Sequence, residues 1–268
     1  MIIFCYNASM KSLLLLLLSL QLLFAATSEQ VEEYLTVSSS EEELLLLESQ
    51  FSSMQNSFSK NSEEEKSTYD MQLLSVRFKE YIQKHLSETE MDAVLENYKN
   101  VLYLQFVAAS LNSAEDNETR AYLKALESDP DASERMEILE KISKHLNKKE
   151  SMLIMFDGMM KPLLQNAQGI QKEDDKFMEA QKKAYIAAMQ LRAKRETLFN
   201  LKDFTIEELE EILKVVKTPA MDHETKAVYG AIAYALKEFF ISISSRYDVS
   251  KHDPSKYNKT QTDTKNTK

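Results

Sequence analysis

A chain of 268 residues that holds only three glycines and four prolines has little with which to turn a strand back on itself. Sheets reverse through Gly-, Asn- and Pro-containing links, and an ordinary chain carries about 7% Gly and about 5% Pro. Lys, Glu, Leu, Ala and Met, all strong helix formers, fill the space instead. The expected fold class is therefore all-α. A hydrophobic share of 43% supplies enough apolar surface for a buried core.

The N-terminus reads as an export signal. In MKSLLLLLLSLQLLFAA, residues 10–26, Lys11 precedes an apolar run from Leu13 to Phe24, and Ala25 and Ala26 offer small residues for cleavage. The run is shorter than the roughly 20 residues of a comfortable membrane span. Cleavage is expected after Ala25, Ala26 or Ser28, and Met10 is a second candidate start; the alternative is an uncleaved anchor built from 1–24. Cys5, the one cysteine, lies in this leader, so the mature chain of an exported protein would have no thiol and no disulfide. The expected location is exported, periplasmic or secreted, with no integral membrane segment after cleavage. A formal net charge of −10 argues against nucleic acid as a partner, since phosphate binding needs a basic face. The cations of 181–195 (Lys182, Lys183, Arg192, Lys194 and Arg195) read as a solvated helix face.

Beyond the leader the chain matches itself. Val31, Tyr34, Val37, Leu47, Phe51, Met54 and Phe58 stand 105 residues before Met136, Leu139, Ile142, Met152, Phe156, Met159 and Leu163, apolar in every pair. Further on, residues 86–95 (LSETEMDAVL) match 204–213 (FTIEELEEIL) at an offset of 118. The difference predicts a longer helix or connection near 165–185. Both stretches carry the same helix-start device. Thr205 and Glu208 form a capping box with Phe204 and Leu209 as hydrophobic staple; Ser87 and Glu90, with Leu86 and Met91, do the same. Thr218-Pro219 ends one helix and starts the next with Pro in the first turn, and Asp131 with Glu134 is expected to cap the first helix of the second half. Apolar spacing predicts helices with faces Met152, Met155, Phe156, Met159, Met160, Leu163, Leu164 and Val228, Ile232, Leu236, Phe239, Ile243. The expected organisation is a signal peptide, 1–26; a first helical unit, 27–128; a second, 131–246; and a disordered polar tail, 247–268. Each unit would hold four or five helices, a tandem duplicated bundle. The stretch 56–67, rich in Ser and Glu, reads as a loop or frayed helix end.

Phe204, Thr205, Glu207, Glu208, Leu209, Ile212, Thr218 and Pro219 also carry a family resemblance. They resemble the F-T-E-E-E-L-x-x-[IL]-x-x-F-Y-x-[ST]-P-x-G signature of the bacterial domain of unknown function 2059 family, which is found in exported helical proteins. Val215-Val216 replaces the aromatic pair and Met221 the glycine. The first copy is more degenerate, with Asn100-Val101 in place of Thr-Pro. The resemblance covers about 136–243, and 31–128 through the duplication. It implies a helical fold and an exported location, and no activity.

No catalytic constellation is visible. His85, His145, His223 and His252 stand at no mutual i+3 or i+4 spacing, and no phosphate loop or nucleophile elbow occurs. The methionines of 152–160 read as core filling rather than a copper site. Glu207, Glu208, Glu210 and Glu211 read as helix-start acids favoured by the dipole. No cofactor or metal is expected. The function expected is partner binding in the cell envelope without enzymatic activity; the alternative is a carrier of a lipid or other apolar ligand.

Overall fold

The computed structural model describes residues 25–59, 69–111, 116–167 and 175–244. Among them the fold is all-α, with one isolated antiparallel bridge between Ala25 and Ser87. The first half holds α1 (Ser28–Val37), α2 (Ser40–Ser59), α3 (Leu73–His85), α4 (Glu88–Asn97), α5 (Val101–Ser110) and α6 (Asp116–Ser128). A 3-10 turn, Pro130–Ala132, leads into α7 (Ser133–Leu146), α8 (Lys149–Met155), a π-helical turn (Phe156–Met160), α9 (Lys161–Asn166), α10 (Asp175–Asn200), α11 (Ile206–Val216) and α12 (Pro219–Ser244). The expected leader, 1–24 of it, the tail 247–268 and most of the 56–67 stretch lie outside the described residues.

The helix starts follow from local hydrogen bonding. Both expected capping boxes are present: the side chain of Ser87 accepts from Glu90 N–H and that of Thr205 from Glu208 N–H, each carboxylate reaching back to the cap's own N–H. Their staples, Leu86 with Met91 and Phe204 with Leu209, are buried. Thr27 and Gln30 form a third box at α1. Thr218 Oγ1 accepts from Met221 N–H at the start of α12. Asn100 Oδ1 accepts from Tyr103 N–H at α5, so a side-chain cap is present at Asn100-Val101 without a Thr-Pro pair. The second half starts differently from expectation. Asp129, not Asp131, caps the 3-10 turn, and α7 begins behind Ala132 without a side-chain cap. Pro130 removes one donor and fixes a tight turn there, which moves the acceptor upstream.

The core is continuous from Ala26 to Ile243 and draws on both halves of the chain. At its centre lies α12, whose most extensive contact is with α3 and which also packs on α4, α7, α8, α9 and the π turn. Leu236, Phe239 and Ile243 are buried as expected, but Val228 and Ile232 are only half-buried. Small residues take the inner positions instead: Ala220, Ala227, Gly230, Ala231, Ala233 and Ala235. A helix enclosed on several sides has no single apolar stripe, and alanine lets neighbouring backbones approach. α12 is also the one described helix long and apolar enough to cross a membrane, and most of that window is buried inside the protein.

The π turn has a local cause. Pro162 has no N–H and its ring would collide with the carbonyl four residues back, at Gly158; one widened turn relieves this. The same widening seats Gly158 against α12, where an added Cβ would come within 2.7 Å of Ala233 Cβ. Met152, Phe156, Met159, Leu163 and Leu164 stay buried through the turn.

The contacts repeat between the halves. α1 packs on α3 and α4, as α7 packs on α10 and α11; α2 packs on α3, as α8 packs on α10. α5 lies against α10 and α11, while α12 lies against α3 and α4. α10 has 26 residues and α3 has 13.

Candidate functional site

The eight motif residues mark one joint. Phe204 seals it beneath α11, Thr205 and Glu208 cap α11, and Leu209 and Ile212 are buried on its inner face. Glu207 is exposed, and Thr218 with Pro219 starts α12. Glu210 and Glu211 are exposed as well, Glu211 pairing with Lys214. Glu207, Glu210 and Glu211 therefore stand on the outer face of α11, while Glu208 turns back to the cap. Arg135, which sequence reasoning did not single out, ties the joint from α7. Its guanidinium donates to the carbonyls of Leu201 (2.9 Å), Lys202 (2.6 Å) and Phe204 (2.6 Å). The corresponding joint in the first half is held by Ala26 N–H, which donates to Leu86 C=O at 2.9 Å.

Chemistry gathers at a different place, around Glu224 on α12, which is only 4% exposed. Its Oε1 accepts hydrogen bonds from the Tyr34 hydroxyl of α1 at 3.0 Å and from the Tyr98 hydroxyl at the end of α4. Its Oε2 is buried and has no partner. Tyr103 of α5 closes the cluster, its ring 5.3 Å from that of Tyr98 and the Tyr98 ring 6.0 Å from that of Tyr34. Nearby, the hydroxyls of Ser38 and Ser40 share a 2.7 Å hydrogen bond. Burial raises the Glu224 carboxyl to about 7, against the phenol hydrogen bonds, which lower it. The phenols of Tyr34, Tyr98 and Tyr103 are pushed up, by burial first and then by the neighbouring carboxylate.

Sequence reasoning passed over Glu224 because acids on helices are ordinarily solvated. A signal was there: Ala220, Ala227 and Ala231 stand at −4, +3 and +7 from it, so it lies on their stripe. The next residues turn outward. Asp222 pairs with Lys148 and Lys226, which hold its carboxyl below the usual range. His223 Nδ1 lies 2.7 Å from Glu90 Oε1. His85 stacks on Tyr81, His145 is depressed by partial burial and then by nearby lysines, and His252 lies outside the described residues. Among the described residues no three His, Cys, Asp or Glu side chains gather as metal ligands.

Two neighbouring surface grooves run along α7 and α10. The larger, about 470 Å³, lies between α6, α7 and α10 and is lined by Leu126, Met136, Leu191 and Leu198 together with charged side chains that include Glu127, Glu140, Lys194 and Arg195. The second, about 450 Å³, is lined by polar side chains including Lys141, Lys144 and Asn147. Leu191, at 46% exposed, is one of the large apolar side chains the fold leaves open to solvent.

Comparison of the chain with family models, curated proteins and solved structures found no match.

Proposed function

We propose that this chain is an exported, non-enzymatic helical protein that binds a partner in the envelope through the groove between α6, α7 and α10. The observation that carries the reading is the exposed Leu191 in a groove lined by apolar side chains and by charges of both signs. That is the surface an amphipathic helix of another protein would cover, apolar side down and charges to the rim. The leader pattern of 10–26 supports export and a periplasmic or secreted location. The motif residues 204–219 support descent from the domain of unknown function 2059 family. The repeated joints and contacts support a duplication, in which α5 lies on α10 and α11 of the second half as α12 lies on α3 and α4 of the first.

The test is photo-crosslinking in the native envelope from position 133, where Ser133 is exposed and lines the same groove, followed by mass spectrometry of proteins and lipids. One recurrent protein adduct is expected, lost in Leu191→Glu and kept in Leu45→Glu on α2, where Leu45 is also exposed. A recurrent lipid adduct would replace this reading with the apolar-ligand carrier, and equal capture by both variants would remove the groove from it.

A further inference from the structure

We propose that Glu224, Tyr34, Tyr98 and Tyr103 form a proton-sensitive clasp, which holds α12 against α1, α4 and α5 while the carboxyl carries its proton and loosens when that proton leaves. The geometry is specific. One carboxyl on the central helix bonds phenols from two other elements through a single oxygen, and its second oxygen is buried and unpartnered. An ionised carboxylate there is a charge with half its hydrogen-bonding capacity unmet.

The second half indicates that the scaffold does not need this polarity. At the repeat offsets of 105 and 118, Tyr34, Tyr98, Tyr103 and the Phe106 position correspond to Leu139, Val216, Met221 and Glu224. The twin location is thus Leu139, Val216, Met221 and Phe106, all four apolar and buried. The comparison rests on the duplication proposed above; the clasp itself rests on the contacts alone and stands apart from partner binding. The titratable groups facing Glu224 are Tyr34 from α1, Tyr98 from the end of α4 and Tyr103 from α5. Asp222, His223 and Lys226 of its own helix are engaged outside, with Lys148 of the α7–α8 link and Glu90 of α4.

The sign follows from linkage. The ordinary carboxyl value is 4.5 and the folded one is raised to about 7. Between these values the folded chain keeps a proton that the unfolded chain has released, so stability falls as pH rises through the window and levels off above it. From pH 5 to pH 8 the unfolding equilibrium constant should rise on the order of 50-fold through this group.

The experiment compares urea unfolding of the whole protein and of Glu224→Gln across that range. The clasp predicts that the amide removes most of the pH dependence and that the variant is the more stable at pH 8. Parallel pH profiles for the two proteins would overturn it. Should Glu224→Gln not fold, infrared titration of isotope-labelled wild type decides. A buried protonated-carboxyl band lost between pH 6 and pH 8, with faster amide exchange in α1 and the start of α12, supports the clasp. A band unchanged across that range, or lost without the change in exchange, sinks it.

Discussion

Arg135 illustrates how much a single side chain can fix without leaving a trace in sequence pattern. It reaches from α7 to three carbonyls of the turn between α10 and α11, one of which, Leu201 C=O, also accepts from Phe204 N–H. A planar guanidinium serves several carbonyls at once, which a lysine ammonium does less well. In the first half Gln30 of α1 reaches the start of α4 instead, where its amide donates to Glu88 C=O and Asp92 Oδ1. Arg135→Ala should cost about 2 kcal/mol in urea unfolding, with Arg135→Lys recovering less than half. A loss below about 0.5 kcal/mol, typical of a surface substitution, would contradict the role given to it.

Elements were legible where their signals are local. The boxes at Ser87 and Thr205 and the cap at Thr218 could be read because a cap needs only its own next three residues. The start of α7 was misread because Asp129 and Asp131 are both plausible caps and the geometry of Pro130 chooses between them. The inner face of α12 was legible at Leu236, Phe239 and Ile243 and not at its alanines, since a helix packed from several sides has no single periodic face. Glu224 was passed over for a different reason: it lies on the stripe of Ala220, Ala227 and Ala231, but an acid on a helix is ordinarily solvated. The π turn escaped a reading based on 3.6-residue periodicity, although Pro162, four residues after Gly158, was its visible cause.

That turn carries its own prediction. Gly158→Ala gains helix propensity of about 1 kcal/mol, yet its new methyl would meet Ala233 Cβ at 2.7 Å. The crowding should win by about 1–2 kcal/mol in thermal or urea unfolding. Ala233→Gly in the same chain should recover part of the loss. Equal losses with and without Ala233→Gly would show that the two residues do not meet.

On the scale of the whole molecule, the two sequence halves share one core. α12 belongs by sequence to the second half, yet its most extensive contact is with α3 of the first, and Tyr34 and Tyr98 of the first half hold its Glu224. Tyr69 adds another link, donating to Ala235 C=O at 2.5 Å. A core shared in this way cannot be lost in one half and kept in the other. Native-state hydrogen exchange under increasing denaturant tests this directly. The account predicts that the core amides of α3, α4 and α12 lose protection together, with one opening free energy and one denaturant dependence. Protection of α7 to α12 that persists after α1 to α5 have opened would contradict it.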